Sequence, residues 1–195
     1  MAANKNEPES ATLAFADQAD FERWLAAHHE DSPGIWLRLA KKGAGVPSVT
    51  YAEAVEVALC YGWIDGQKRP QDERFWLQRF TRRGARSIWS KINQRKVQEL
   101  IDAGRMQPAG QAAIDLARQT GRWEAAYDPA STAQVPDYFQ EALEKHPTAA
   151  ADFAALDRAN RYAMLFRLQT AKRAETRARL VERFIGMLER GERLH

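Results

Sequence analysis

The 195-residue sequence has a single cysteine, Cys60, and therefore cannot form an internal disulfide bond. It has no run of eighteen apolar residues, so no segment is expected to span a membrane. Residues 1–10 (MAANKNEPES) are polar and lack periodicity, which predicts a flexible leader and not a secretory signal. These absences predict a cytoplasmic protein without membrane insertion.

The sequence also lacks the residue clusters that mark common enzymes and metal sites. His28 and His29 are adjacent on a predicted helix, so their side chains diverge by about 100° and cannot share one ion. Gly43 and Gly45 do not continue into a dinucleotide or P-loop pattern, and Cys60 has no local nucleophile signature. We therefore expect no metal and no cofactor, and the sequence leaves open whether the protein is an enzyme.

Charge is distributed unevenly along the chain, although the net charge is only +3. Residues 67–96 hold ten Lys and Arg against two Asp and Glu, a net charge of +8. Residues 158–193 hold ten against four, a net charge of +6, which leaves −11 for the rest of the chain. The two basic blocks predict either an anion-binding or nucleic-acid-binding face, or solvated surfaces that pair with the acidic remainder.

The pattern of residues 11–86 predicts an α/β region. The predicted strands are residues 12–16, 35–42, 63–69 and 74–82, and the last two form a hairpin. Asp17 is the expected cap of the first helix, and Thr50 with Glu53 forms a capping box at the second. This order predicts a small mixed sheet with one crossover helix.

From residue 87 onward the pattern is helical. The predicted helices are residues 88–103, 108–120, 136–145, 149–156, 162–169 and 171–190. Ser87 and Thr170 are the expected caps of the first and the last of these. The fold class is therefore α+β, with an all-helical half, residues 87–195, packed on the α/β part as one unit.

Residues 50–93 contain three of the six tryptophans, a Gly-Trp-Ile-Asp-Gly run and many arginines. Aromatic walls beside charged and amide groups are typical of ligand sites. The candidate ligand-binding residues are Tyr51, Trp63, Asp65, Gln67, Arg79, Arg82, Trp89, Ser90 and Asn93. We expect them to converge on a cleft between the hairpin and the helix that begins at Ser87, whose N-terminus would attract an anion. The predicted ligand is an anionic or aromatic small molecule.

The second hairpin strand alternates between two rows of side chains. The row expected to pack on the core is Phe75, Leu77, Arg79 and Thr81. The row expected to point outward is Trp76, Gln78, Phe80 and Arg82. An outward row of aromatic and basic groups, together with Trp89, also suits a nucleic acid.

Asp65 has two interpretations. It could line the ligand site, or it could form a buried ion pair with Arg79 or Arg82 that fixes the hairpin, with Trp63 and Trp89 as core anchors. The C-terminal helix offers a further basic surface, in which Lys172, Thr176 and Arg179 share one face while Arg173 and Arg177 form a neighbouring row.

Four blocks of the sequence carry a family resemblance. They are residues 48–67 (SVTYAEAVEVALCYGWIDGQ), 79–93 (RFTRRGARSIWSKIN), 121–128 (GRWEAAYD) and 168–179 (LQTAKRAETRAR). In these blocks the chain resembles the YdeI/OmpD-associated bacterial family, also described as bacteriocin-protection proteins. The resemblance implies a link to envelope stress, bacteriocin tolerance or an outer-membrane porin. It does not specify a biochemical activity. Because the chain shows no export signal, we do not expect direct contact with a porin.

Three functions remain open at this point. The first is binding of an anionic or aromatic small molecule in a stress or resistance setting. The second is a nucleic-acid-binding module, whose affinity would fall steeply with salt. The third is an undescribed enzyme that uses the same pocket.

Overall fold

The computed structural model describes residues 11–195, so the predicted leader, residues 1–10, lies outside the described residues. Contacts divide the chain into two compact units. Unit 1 consists of the described residues of Met1–Ser87 together with Asn93–Glu124, and unit 2 consists of Ile88–Ile92 with Ala125–His195. Residues 93–124 thus belong with the sheet, although the pattern assigned them to the helical half. That the two halves form one cooperative unit stays a prediction.

The first part of the chain forms a four-stranded sheet with helices. Its elements are β1 (Thr12–Leu13), α1 (Gln18–His28), β2 (Ile35–Ala40), α2 (Tyr51–Cys60), β3 (Trp63–Pro70), β4 (Phe75–Arg82), α3 (Lys91–Asp102) and α4 (Pro108–Gln119). The strand order is β1-β2-β4-β3, with β1 parallel to β2 and β4 antiparallel to both of its neighbours. The small mixed sheet, the crossover helix and the hairpin are confirmed.

The two predicted N-terminal caps are present. The Asp17 carboxylate accepts a hydrogen bond of 2.9 Å from the backbone N–H of Asp20 at the start of α1. At α2, the Thr50 hydroxyl accepts from the N–H of Glu53, and the Glu53 carboxylate accepts from the N–H of Thr50 at 2.8 Å. Each cap satisfies backbone donors that the first helical turn leaves unpaired.

Helix α3 begins at Lys91, three residues later than the pattern predicts. The N–H of Tyr127 donates to the carbonyl of Trp89, and the N–H of Lys91 donates to the carbonyl of Tyr127, both at 3.0 Å. This bridge holds the chain extended where the helix was expected to start. Ser87 is therefore not its cap; the Ser87 hydroxyl instead accepts from the N–H of Gly84.

The face of the sheet that packs on the core is the reverse of the one predicted for β4. The register pairs Phe80 with Ile35 and Gln78 with Leu37, and all four side chains are buried. The Phe21 ring of α1 lies 5.8 Å from that of Phe80, so this face carries the core. The opposite face, here called the outer face, contains Trp36, Arg38, Arg69, Phe75, Leu77 and Arg79.

The last four helices belong to unit 2. They are α5 (Asp137–Glu144), α6 (Pro147–Ala155), α7 (Arg158–Thr170) and α8 (Ala174–Glu189). The Phe139 ring packs edge-on against Phe153 at 5.4 Å and against Phe184 at 6.4 Å, in the centre of the core of this unit. Thr170 ends α7 and is not the cap of α8. Among the described residues, no helix combines the length and the hydropathy needed to cross a bilayer.

Asn160 ties the C-terminus of the chain to α7. Its buried side-chain oxygen accepts hydrogen bonds from the N–H groups of Leu194 at 2.9 Å and His195 at 3.0 Å. Its amide nitrogen donates to Asp157 at 2.8 Å. We expect Asn160→Ala to lower the free energy of unfolding by about 2 kcal/mol, because it leaves polar partners unsatisfied. Urea unfolding measures this effect, and equal midpoints for Asn160→Ala and the exposed Gln140→Ala would contradict it.

Candidate functional site

The packing of α2 against the hairpin brings Tyr51 and Asp65 together. The Tyr51 hydroxyl donates a hydrogen bond of 2.7 Å to the Asp65 carboxylate, and the Tyr51 ring lies 5.8 Å from that of Trp76. Tyr51 therefore lies beside the hairpin, next to Asp65 and Trp76. The pair lies at the surface, since 42% of Tyr51 is exposed.

The predicted ion pair of Asp65 with Arg79 or Arg82 is not formed. Asp65 is paired in register with Phe80 and therefore shares its face, whereas Arg79 points to the outer face. The Arg79 guanidinium donates to the carbonyls of Pro33 at 3.4 Å and Phe80 at 3.5 Å. Arg82 is exposed at the end of β4. Within residues 11–195, Asp65 takes part in no ion pair.

Trp63 is a core residue. It is fully buried, its indole N–H donates to the carbonyl of His29 at 3.1 Å, and its ring meets Trp24 edge-on at 6.0 Å. A cavity bounded in part by Trp63, Asp65 and Asn93 has no room for a water molecule. The space beside Trp63 therefore does not admit a ligand in this conformation.

The other predicted site residues are divided between the two units. Gln67 is exposed in a β-bulge of β3, where its carbonyl accepts from the side-chain amide of the buried Gln78. Trp89 and Ser90 belong to unit 2, are buried, and precede α3 instead of lying in its first turn.

A groove in unit 2 has the dimensions of a ligand site. It has a volume of about 760 Å³, within the usual range for small-molecule pockets. The lining residues are Tyr138, Ala142, His146, Ala174, Arg177, Ala178, Val181, Glu182, Ile185, Gly186 and Glu189. They come from α5, from α8 and from His146, and apolar surface predominates among them.

Arg177 lines this groove, and its guanidinium is held in place by backbone contacts. Its Nε donates to the carbonyl of Ala171 at 3.0 Å, and its Nη2 donates to the carbonyl of Lys172 at 3.1 Å. These two bonds connect the turn between α7 and α8 to the start of α8 and hold the guanidinium in place. Neither of them involves Nη1. Arg177 forms no ion pair with any carboxylate of the described residues. A fixed guanidinium is well suited to a carboxylate or sulfonate.

Tyr138 and the pair of His146 with Glu189 complete the polar lining. The Tyr138 hydroxyl donates to the carbonyl of Leu168 at 3.1 Å, which fixes its ring as a wall. Burial raises the pKa of Tyr138, and the nearby Arg177 partly opposes that shift. Tyr138 therefore stays protonated at physiological pH, and its hydroxyl remains a hydrogen-bond donor. In the His146–Glu189 pair, Nδ1 of His146 lies 2.8 Å from the Glu189 carboxylate.

Sequence reasoning identified Arg177 within a basic row but missed the groove. The signal that was available is the set of small residues at helical spacing, Ala174, Ala178 and Gly186, which leaves α8 without bulk on one face. Both members of that row, Arg173 and Arg177, are exposed.

Cys60 carries no sign of nucleophilic or metal chemistry. Burial raises the pKa of its thiol to about 11, so it is neutral at physiological pH. Among residues 11–195, no three His, Cys, Asp or Glu side chains are placed to hold a metal ion.

The raised pKa of Cys60 predicts a pH dependence. Because its folded pKa is above the ordinary 9.0, its contribution to stability is present below pH 9 and is lost as the pH rises toward 11. Between pH 8 and 10.5, we expect the free energy of unfolding of the wild type to fall by about 2 kcal/mol more than that of Cys60→Ala. Urea unfolding of both proteins at the two pH values measures this difference, and parallel losses would contradict it.

Comparison with known proteins gives two family matches. Residues 13–113, more than half of the chain, match a domain of unknown function, DUF8412. Residues 132–191 match the family described as bacteriocin-protection, YdeI or OmpD-associated, and all groove-lining residues lie in that segment. A search of curated proteins found no match to the chain, and neither did a search of solved structures. The chain therefore belongs to the DUF8412 family, and its residues 132–191 match the model of the bacteriocin-protection, YdeI/OmpD-associated family.

Proposed function

We propose that this resistance-associated family member binds a small molecule with an apolar body and one anionic group, in the groove between α5 and α8. The observation that carries the proposal is the fixed guanidinium of Arg177 beside an apolar groove of about 760 Å³. We also propose that the protein acts in the cytoplasm, because its single cysteine, Cys60, is free and buried, as is usual in a reducing compartment.

The apolar floor supplies the affinity for the body of the ligand. Ile185 is buried, while Val181 and Ala142 are partly exposed to the groove. Covering such surface contributes roughly 25 cal/mol per Å² removed from water. Because Gly186 has no side chain, it adds no bulk to the part of α8 that lines the groove, which suits a flat or narrow body.

The charged residues supply the specificity. The anionic group pairs with Arg177, whose backbone contacts hold it before the ligand arrives, so little side-chain entropy is lost on binding. Glu182 and Glu189 also line the groove, and their carboxylates disfavour a ligand with several negative charges. A monoanionic aromatic or aliphatic acid therefore fits better than a sugar bisphosphate.

The probe for this proposal is 1-anilinonaphthalene-8-sulfonate, an anionic aromatic fluorophore. We expect saturable binding to the folded wild type with one site per chain. Gly186→Leu should abolish that site, because the new side chain occupies the floor of the groove. Circular dichroism of the variant confirms that it is folded, which separates groove binding from dye uptake by a molten state.

Loss of the cation should weaken the complex. We expect Arg177→Gln to raise the Kd of the dye about tenfold, since a charge-assisted contact contributes about 1.5–3 kcal/mol. Arg179→Gln is the matched control, because it removes the same charge from an exposed position of the same helix that does not line the groove. Equal Kd values for these two variants would contradict the role of Arg177.

A second control separates the groove from the site predicted by the sequence. Tyr51→Phe removes the hydroxyl that donates to Asp65 and leaves the ring in place. We expect dye binding to be unchanged in this variant. Loss of binding there, with retention in Gly186→Leu, would transfer the proposal to the surface around Tyr51.

A further inference from the structure

We propose that the outer face of the unit 1 sheet binds single-stranded nucleic acid. This inference is independent of the groove, because every residue that carries it lies on β2, β3, β4 or the turn that joins β3 to β4. The face combines partly exposed aromatic rings with arginines, and single strands use such surfaces for base stacking and phosphate contact.

Trp36 is the first aromatic position. Its ring lies on β2, and the guanidinium carbon of Arg69 lies 4.1 Å from the ring centroid. The guanidinium carbon of Arg79, which is paired with Trp36 in register, lies 5.9 Å from the same centroid. Trp36 is partly exposed and Arg69 is exposed. The ring and the planar cation form a layered surface on which a base can stack.

Phe75 is the second aromatic position. The guanidinium carbon of Arg38 lies 4.3 Å from its centroid, and that of Arg74 lies 5.6 Å away. Phe75 and Arg79 are four positions apart along β4, which corresponds to about 13 Å. The two aromatic positions therefore occupy distinct places on the face, so the surface is extended and suits a chain of nucleotides.

Three arginines on or beside the outer face are not paired with a carboxylate of the described residues. Arg38, Arg69 and Arg74 form no ion pair with a carboxylate of residues 11–195. The carboxylate of Asp72, in the turn, accepts from the backbone N–H groups of Arg74 and Phe75. Three cations within reach of two rings match a phosphate backbone that runs past stacked bases.

A duplex is disfavoured as the partner. Its bases are stacked within the helix, so the rings of Trp36 and Phe75 would have no base face to meet. A sheet face with partly exposed aromatic rings is a surface that binds unpaired bases. Loss of a ring should therefore matter as much as loss of a cation.

The experiment is fluorescence anisotropy of the full chain with a labelled twelve-nucleotide oligothymidylate and with a duplex of the same length. We expect the single strand to bind more tightly than the duplex. Three phosphate contacts predict a loss of affinity of about 20-fold between 50 and 200 mM salt. Equal or tighter binding of the duplex overturns the proposal, and so does the absence of measurable binding at 50 mM salt.

The variants test the named surface. Trp36→Leu keeps an apolar side chain but removes the stacking ring, and we expect about a tenfold loss of affinity. The double variant Arg69→Ala with Arg74→Ala should reduce the affinity and flatten the salt dependence, and it provides the test if Trp36→Leu does not fold. Arg95→Ala on α3 is the control for charge. Affinity that falls equally in the control and the double variant overturns the assignment to this face.

Discussion

The change Gly110→Ala is expected to lower the free energy of unfolding by about 3 kcal/mol or more, although alanine is the better helix former. Gly110 is buried in α4, where the chain passes close to the end of α2. A Cβ at this position would overlap the carbonyl oxygen of Cys60 and would lie 2.7 Å from that of Leu59. Backbone oxygens of a packed helix cannot rotate away, so α4 would have to move. Thermal or urea unfolding followed by circular dichroism measures the loss.

Gly186→Ala is the matched control for that prediction. Gly186 also lies within a helix, but the nearest atom to an added Cβ is Nη1 of Arg190 at 3.2 Å, at the end of a flexible side chain. We expect this variant to be more stable by about 0.5–1 kcal/mol, because the gain in helix propensity is not opposed by a backbone clash. Effects of the same sign at the two glycines would contradict the close packing of α2 and α4.

The second large effect is expected for Trp63→Ala, which should lower the free energy of unfolding by about 3–5 kcal/mol. Trp63 is fully buried at the start of β3, and its removal leaves a cavity beside Trp24. It also removes the indole donor of the carbonyl of His29. Unfolding in guanidinium chloride, followed by circular dichroism because a fluorophore is lost, measures the change.

Trp63→Phe separates packing from hydrogen bonding. Phenylalanine keeps most of the buried ring but cannot donate to His29, so we expect a loss of about 1–2 kcal/mol. If Trp63→Ala and the wild type unfolded at the same denaturant concentration, Trp63 would not be a core residue. That result would instead support the hypothesis that the Trp63 ring contacts a ligand in a more open conformation.

The strands, the N-terminal caps of α1 and α2 and the hairpin were predictable because they are determined by local sequence. The alternation of residues 35–42 and the pair of Thr50 with Glu53 each depend on a few neighbouring residues. The structure confirms both within two residues. The fold class followed from these elements.

The faces of the hairpin were not predictable in the same way. Both rows of β4 contain aromatic and basic residues, so alternation alone cannot decide which of them meets the core. The register with β2 decides it, because Ile35 and Leu37 place Phe80 and Gln78 inside. A bulge between Asp65 and Lys68 then shifts the phase of β3, which separates Gln67 from the alternating row. These are long-range contacts.

The start of α3 and the groove were missed for the same reason. A bridge to Tyr127, far along the chain, replaces the first predicted turn of α3. The groove depends on the packing of α5 beside α8, which are separated by two other helices in sequence. Arg177 appeared in the sequence as one of many exposed cations. Its bonds to the carbonyls of Ala171 and Lys172 distinguish it from Arg173 and Arg179 on the same helical surface.

Amide chemical-shift mapping of the ¹⁵N-labelled chain with 1-anilinonaphthalene-8-sulfonate shows directly whether the groove binds the dye. We expect saturable shifts at Ala142, Arg177, Val181 and Ile185, all of which line the groove. We expect these shifts to vanish in Gly186→Leu. Shifts centred on Tyr51 and persisting in Gly186→Leu, or no saturable shifts at any residue, would contradict binding in the groove.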